Sequence, residues 1–290
     1  MNDTKNTQSK IDKKLLENPF VGSLIVPIAI VLVGALIVFG VTKMISSEHS
    51  YKDLVTEMKS KTFGNKWVAA LELSKLISAK RIPVEDIPWL VQSMDEIYTG
   101  SIDPRTRNFI VVAAGALGDE RALKIFKKSL VDTDDNVRFH TVVSLANMPK
   151  GLVFDWKPVV ELLDSKDHAM VQTAIFALST HQVPGIEKKV EGLLNADLSF
   201  GVRYAAATAL IAYKNEKSLP IIEEILSLNE TSLEGKMTVD EIRGLKFNVF
   251  EAIQRAPWPI LAASIEKVVQ DDKDVKVVGR GKEVLKLLKK

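Results

Sequence analysis

Apolar residues along this chain follow two rhythms. Between Phe20 and Val41 they run almost unbroken, FVGSLIVPIAIVLVGALIVFGV, without a charge; fifteen are Phe, Val, Leu or Ile. As a helix rising ~1.5 Å per residue the run covers roughly 33 Å, against about 30 Å of hydrocarbon core, and predicts a transmembrane helix over residues 20–42. Each such side chain favours insertion by about 0.3–0.6 kcal/mol at mid-membrane. Pro27 fits a spanning helix, because neighbouring groups re-satisfy the backbone it frees. A cleaved signal peptide and a buried soluble helix are the competing readings. The apolar core of a signal peptide is usually about 7–15 residues, and no Ala-x-Ala-like site follows here. The length also disfavours a buried soluble helix.

The second rhythm starts after residue 60 and repeats. GVRYAAATAL, residues 201–210, carries small side chains around most of a helix. The stretch from Arg203 to Leu226 aligns without a gap beneath Arg107 to Leu130. Arg falls on Arg, Asp119 on Asn215, and Ile125-Phe126 on Ile221-Ile222. Further copies begin at Arg138 and, without the basic residue, at Val171; weaker ones begin at Lys66 and Lys246. The period of about 32 residues signals a solenoid. Each unit is then a helix, a turn and a second helix, which buries its apolar face only by stacking on neighbours. Small side chains let the first helices approach closely. In LGDERA, Gly118 suits a left-handed helix end and Asp119 caps the next helix. Thr238 and Glu241 form a capping box for a helix running to about Arg255.

VRxxAAxAL, as in Val202 to Leu210, and LGDERAL, Leu117 to Leu123, resemble HEAT repeats of the phycobilisome lyase-like type. The resemblance covers approximately residues 60–290. It implies an all-α solenoid of helical hairpins, and a ladder of ion pairs in which Arg107, Arg138 and Arg203 are structural, with Asp103 preceding Arg107 and Asp135 preceding Arg138. It also brings an alternative function, a lyase-like or enzyme-associated module acting on a small molecule or chromophore, although fold does not carry function.

The organisation expected is a tail (1–19), the transmembrane helix (20–42), a juxtamembrane linker and helix (43–60) and the solenoid (61–290). Within the linker, Leu54, Val55 and Met58 give residues 51–60 an apolar side that docks on the first repeat near Trp67 or lies along the bilayer. A helix beginning near Asp86, with Pro88 in its first turn, caps the open end of the array; Trp89 falls off its apolar stripe. Ser227 to Met237 is an insertion, read either as a binding loop or as a passive one. Lys66, Trp67, Asn229, Glu230, Glu234 and Lys236 are the candidate partner-binding residues. The basic C-terminal stretch from Asp274 reads as a solvated helix terminus or as a contact for an acidic surface.

Charge and chemistry narrow the function. Lys and Arg total 39 against 37 Asp and Glu, a net +2. That is too small and dispersed for a nucleic-acid surface. Cysteine is absent and histidine occurs four times, with no HExxH or HxxxH spacing, so no metal, cofactor or catalytic set is expected. Asp132, Asp134 and Asp135 lack the Gly and Glu of a calcium loop and read as a cap for the helix of Arg138. His168 and His181 fall at repeat turns, facing solvent. Lys5, Lys10, Lys13 and Lys14 before the apolar run favour a cytoplasmic N-terminus and an extracytoplasmic C-terminal domain, with the reverse topology as the alternative. The expectation is a single-pass protein of a bacterial inner membrane. It is not an enzyme, and it holds a protein partner, a transporter or another envelope complex, beside the lipid.

Overall fold

The computed structural model describes residues 50–60, 64–195, 199–232 and 237–289. The predicted tail, the transmembrane helix and residues 43–49 of the linker lie outside the described residues, as do Glu234 and Lys236. Among the described residues there is no strand, and no helix is long and apolar enough to cross a membrane.

Two compact units divide the chain, Met1–Asp53 and Leu54–Lys290. Of the first, Ser50–Asp53 is described; the Ser50 N–H donates to Asp53 Oδ2 at 3.1 Å. The described α-helices are α1 (Tyr51–Lys59), α2 (Lys66–Ser78), α3 (Ile87–Gly100), α4 (Pro104–Leu117), α5 (Leu123–Ser129), α6 (Asp135–Ala146) and α7 (Lys157–Glu161), followed by α8 (His168–Thr180), α9 (Glu187–Gly192), α10 (Phe200–Leu210), α11 (Leu219–Ser227), α12 (Val239–Arg255), α13 (Ala262–Asp271) and α14 (Val275–Leu288). In the second unit the even-numbered helices form one row: α2 packs on α4, α4 on α6, and so on to α14. From α3 onward the odd-numbered helices are the return segments.

Sequence explains where the row's helices begin. Asp103, Asp134, Asp167, Ser199, Thr238 and Asp274 cap α4, α6, α8, α10, α12 and α14, each side-chain oxygen accepting a first-turn backbone N–H. Such caps satisfy amides with no partner inside the helix. The Thr238–Glu241 capping box forms, and α12 ends at Arg255. Lys246, taken as the start of a copy, therefore lies two turns inside its helix.

The gap-free alignment holds in three dimensions. Gly118 ends α4 with φ 65°, and Asp119 caps the short turn leading into α5. At the aligned positions Lys214 has φ 51° and Asn215 caps the turn leading into α11. A lysine therefore adopts the left-handed conformation that glycine takes in the earlier copy.

Small residues set how closely the row packs. A Cβ added at Gly115 of α4 would lie 2.6 Å from Ser144 Cβ and 3.1 Å from its Cα. The Ser144 hydroxyl donates to the Val111 carbonyl at 3.2 Å, so α4 and α6 meet nearly backbone to backbone. On α10, Ala206 and Ala207 are fully buried. At the ends of the unit, Leu54, Val55 and Met58 of α1 are buried, and so are Val277, Val284 and Leu288 of α14. The basic C-terminal stretch is thus a seventh member of the row, a helix that buries its apolar side and keeps Lys282, Lys286 and Lys289 in solvent.

Candidate functional site

Where α10 passes between α8 and α12, small side chains do something besides packing. Gly201, Ala205, Thr208 and Ala212 line one side of α10 and its C-terminal turn, spaced four, three and four apart, so they share a face. They floor a trough of about 260 Å³. Gln172 and Phe176 of α8 form one wall; Leu245, Asn248, Glu251 and Arg255 of α12 form the other. Phe176 is 45% exposed. The Arg255 guanidinium lies 5.4 Å from the Phe176 ring centroid, and its Nη1 donates to Thr180 Oγ1 at 3.2 Å. Cation–π contact and hydrogen bond fix the cation across the trough without a carboxylate. Lys150 lies at the same lining.

The three arginines assigned to a ladder differ in their partners. Arg107 makes a two-point contact with Asp132, Nε to Oδ2 at 2.7 Å and Nη2 to Oδ1 at 2.8 Å. The Tyr98 hydroxyl also donates to Asp132, at 2.5 Å. Burial by itself would raise the Asp132 carboxyl; the hydrogen bonds from Arg107 and Tyr98 outweigh it and pull it down to about 2. Burial, then the Asp132 carboxylate, push the Tyr98 hydroxyl up. Asp103 does not pair with Arg107. It is committed to capping α4 and pairs with Arg105 at 2.8 Å. Arg138 pairs with Asp135 of its own first turn, and Arg203 with Glu224 of α11, which also accepts from the Tyr204 hydroxyl at 2.7 Å.

One recurrent position went unrecognised in the sequence: the residue two before a first-helix cap. Asp132 Oδ1 accepts from the Asp134 N–H at 2.9 Å, and Asp272 Oδ1 from the Asp274 N–H at 2.8 Å. Their other oxygens take a cation from the preceding first helix, Arg107 for Asp132 and Lys246, at 2.5 Å, for Asp272. The signal is Asp-x-Asp, DTD at 132–134 and DKD at 272–274. Ahead of α8 the corresponding residue is Ser165, which bonds the Asp167 N–H at 3.1 Å but offers Arg138 no charge.

The predicted partner-binding residues do not converge. Lys66 donates to the Ser60 carbonyl. Trp67 stacks on Phe109 with centroids 6.4 Å apart, and the Arg105 guanidinium lies 5.2 Å from its ring; both residues are built into the start of the array. Asn229 and Glu230 are exposed, with α4 to α10 between them and Lys66. Asn229 Oδ1 accepts from the Thr231 N–H at 3.0 Å, a local turn. Both border a cavity of about 870 Å³ among α11, α13 and the first turns of α12 and α14. Sequence reasoning missed the trough, because its floor reads as packing and its walls lie on other repeats.

His168 is exposed as expected; His181 is not. Its Nε2 bonds the Leu145 carbonyl at 2.8 Å and its ring lies 4.7 Å from that of Trp156. Burial lowers its pKa, outweighing the opposing bond to Leu145. Nδ1 is buried without a partner among the described residues. The ring is held between the end of α6, through the Leu145 carbonyl, and the Trp156 ring that lies against it. Among the described residues, no three His, Asp or Glu side chains gather as a metal site.

Comparison with known proteins places the fold. No family model matches the chain. No curated protein matches it either. Solved structures of helical repeat proteins align over most of it. A chain of the CpcE–CpcF complex of phycocyanin lyase from Nostoc sp. PCC7120 aligns with 84% of this chain and 96% of its own, at 15% identity and a TM-score of 0.55. The Escherichia coli protein YibA covers 81% of each chain, at 15% identity and a TM-score of 0.52. An archaeal HEAT-like repeat protein from Thermococcus onnurineus NA1 aligns more loosely, at 17% identity and a TM-score of 0.42, over 84% of this chain and 98% of its own. The chain shares with the first two an all-α, HEAT-like repeat fold.

Proposed function

We propose that this chain is a membrane-anchored HEAT-like scaffold that holds a protein partner at the bilayer. The anchor is the uncharged run at 20–42, and the binding element is the row of first helices. The observation that carries the binding half is the α8–α10–α12 trough: an exposed aromatic, a fixed cation and a floor of small side chains at one place on a repeat array. Tethering confines that surface to a thin layer and raises its effective concentration for a membrane-bound partner. The partner class is an envelope protein or membrane complex, such as a transporter or secretion assembly, and the reading assigns the chain no catalysis.

Two measurements in cells test it. Fractionation with a C-terminal compartment reporter should place the chain in the membrane with the repeats outside the cytoplasm. A photocrosslinker at Asn248 should trap a discrete membrane-associated adduct, while the same probe at Lys66 and Asn229 reports on the ends of the row. Recovery in the soluble fraction, or no adduct from any probe, contradicts the proposal. The lyase-like alternative draws on the CpcE–CpcF likeness; a visible absorbance band co-purifying with the chain and lost in Ala205→Leu would favour it.

A further inference from the structure

Resting on the scaffold reading, the arginines point to what the trough takes. The chain has nine. Seven meet a carboxylate: Arg105, Arg107, Arg121, Arg138, Arg203, Arg243 and Arg280. Among the described residues Arg81 and Arg255 do not. Arg255 is nevertheless held in place, by the Thr180 hydroxyl and the Phe176 ring. Both partners are neutral, and Glu251, one turn earlier on the same wall, forms no ion pair with it. Lys150 lines the same trough. On the walls, the Gln172 amide packs over Gly201 and the Asn248 amide faces solvent.

We propose that the trough binds an acidic segment of a partner protein, its carboxylate paired with Arg255 and Lys150. The Gln172 amide covers Gly201, so the open floor runs from Ala205 to Ala212, ~10 Å at 1.5 Å per residue. Its small side chains admit a backbone where larger ones would admit only side-chain tips. A nucleic acid is the wrong ligand, because Glu251 stands on the same wall and a phosphate backbone calls for a run of cations.

The test uses the full chain in a mild detergent that keeps its apolar segment dissolved. Phage-displayed random heptapeptides are selected on it, and the enriched peptides are titrated by fluorescence anisotropy. The expected result is enrichment of Asp or Glu at one position, with binding weakened at least tenfold by Arg255→Glu and by Ala205→Leu. Replacing the selected acid by Lys should restore binding to Arg255→Glu. Lys127→Glu, on α5, should change nothing. Circular dichroism melts establish that each variant is folded. Failure to enrich, enrichment without acidic bias, indifference to the two trough variants, or stronger competition by single-stranded DNA than by an acidic peptide overturns the proposal. A membrane adduct at Lys66 or Asn229 that survives both trough variants would sink this site and leave the scaffold reading standing, whereas absence of any adduct from the chain with an unaltered trough sinks the scaffold reading itself.

Discussion

The α4–α6 contact and the α8–α10–α12 trough use the same raw material for opposite ends. Both depend on small residues in a first helix. At α4–α6, Gly115 meets Ser144 so closely that a methyl group has no room, and Arg107 is closed off by Asp132 and Tyr98. At α10, Ala206 and Ala207 are buried as tightly, but Ala205 and Thr208 lie open between taller neighbours, and the nearby Arg255 is left without a carboxylate. A small residue closes a contact when the facing residue is also small and level with it. It opens a trough when the helices on both sides carry Phe176 and Leu245. The contrast separates scaffold from site, and substitutions should fall on one side or the other.

The largest effect is expected at Asp132. Asp132→Ala leaves the mostly buried Arg107 without its counter-charge and should cost about 3–5 kcal/mol of stability, the usual range for breaking one half of a buried pair. Urea unfolding followed by circular dichroism measures it. The same carboxyl gives an acid limb. Its native pKa of about 2 lies below the unfolded ~3.9, so its stabilisation is complete above about pH 4 and is lost as pH falls toward 2, on the order of 2 kcal/mol in total. The Asp132→Ala variant should lack that limb.

Gly115→Ala is next. Overpacking at this contact should cost about 1–3 kcal/mol, and Ser144→Gly in the same chain should recover part of it, since the two positions share one gap. Additive losses would mean that α4 and α6 do not meet there. His181 comes third. The buried ring stays neutral in the folded chain, whereas the unfolded chain takes up its proton near pH 6.5, so stability should decline as pH falls below about 6.5 toward the lowered native value. His181→Leu should flatten that slope between pH 7 and 5.5; an unchanged slope would show that this ring does not set it.

What the sequence could and could not reveal follows the same division. Local signals were legible. Asp119 and Asn215 cap because their side chains reach amides two residues on, and Thr238 with Glu241 begins a helix that ends at Arg255. The period of the small residues disclosed the row. Partner choice across repeats was harder to read, because it depends on where a turn points. Asp103 was matched to Arg107 by proximity in sequence, yet a cap carboxylate is already spent on its own helix; the partner, Asp132, is one repeat later. The trough was hidden for the same reason, with floor and walls on three helices spread over some 80 residues of chain. His181 illustrates the converse error: a turn position implies exposure only when nothing folds back over the turn, and here Trp156 does.

The smallest expected change in stability is also the most informative. Ala205→Leu fills the trough with one side chain and should move the unfolding free energy by less than about 0.5 kcal/mol, a shift of roughly 1–2 °C in a unit of this size. Melting temperature and the yield of the Asn248 photo-adduct should be measured on the same preparation. The account predicts an unchanged melt and a lost adduct. A melt lowered by many degrees would make Ala205 a packing residue like Gly115, and an adduct that persists would show that the trough is not where the partner binds.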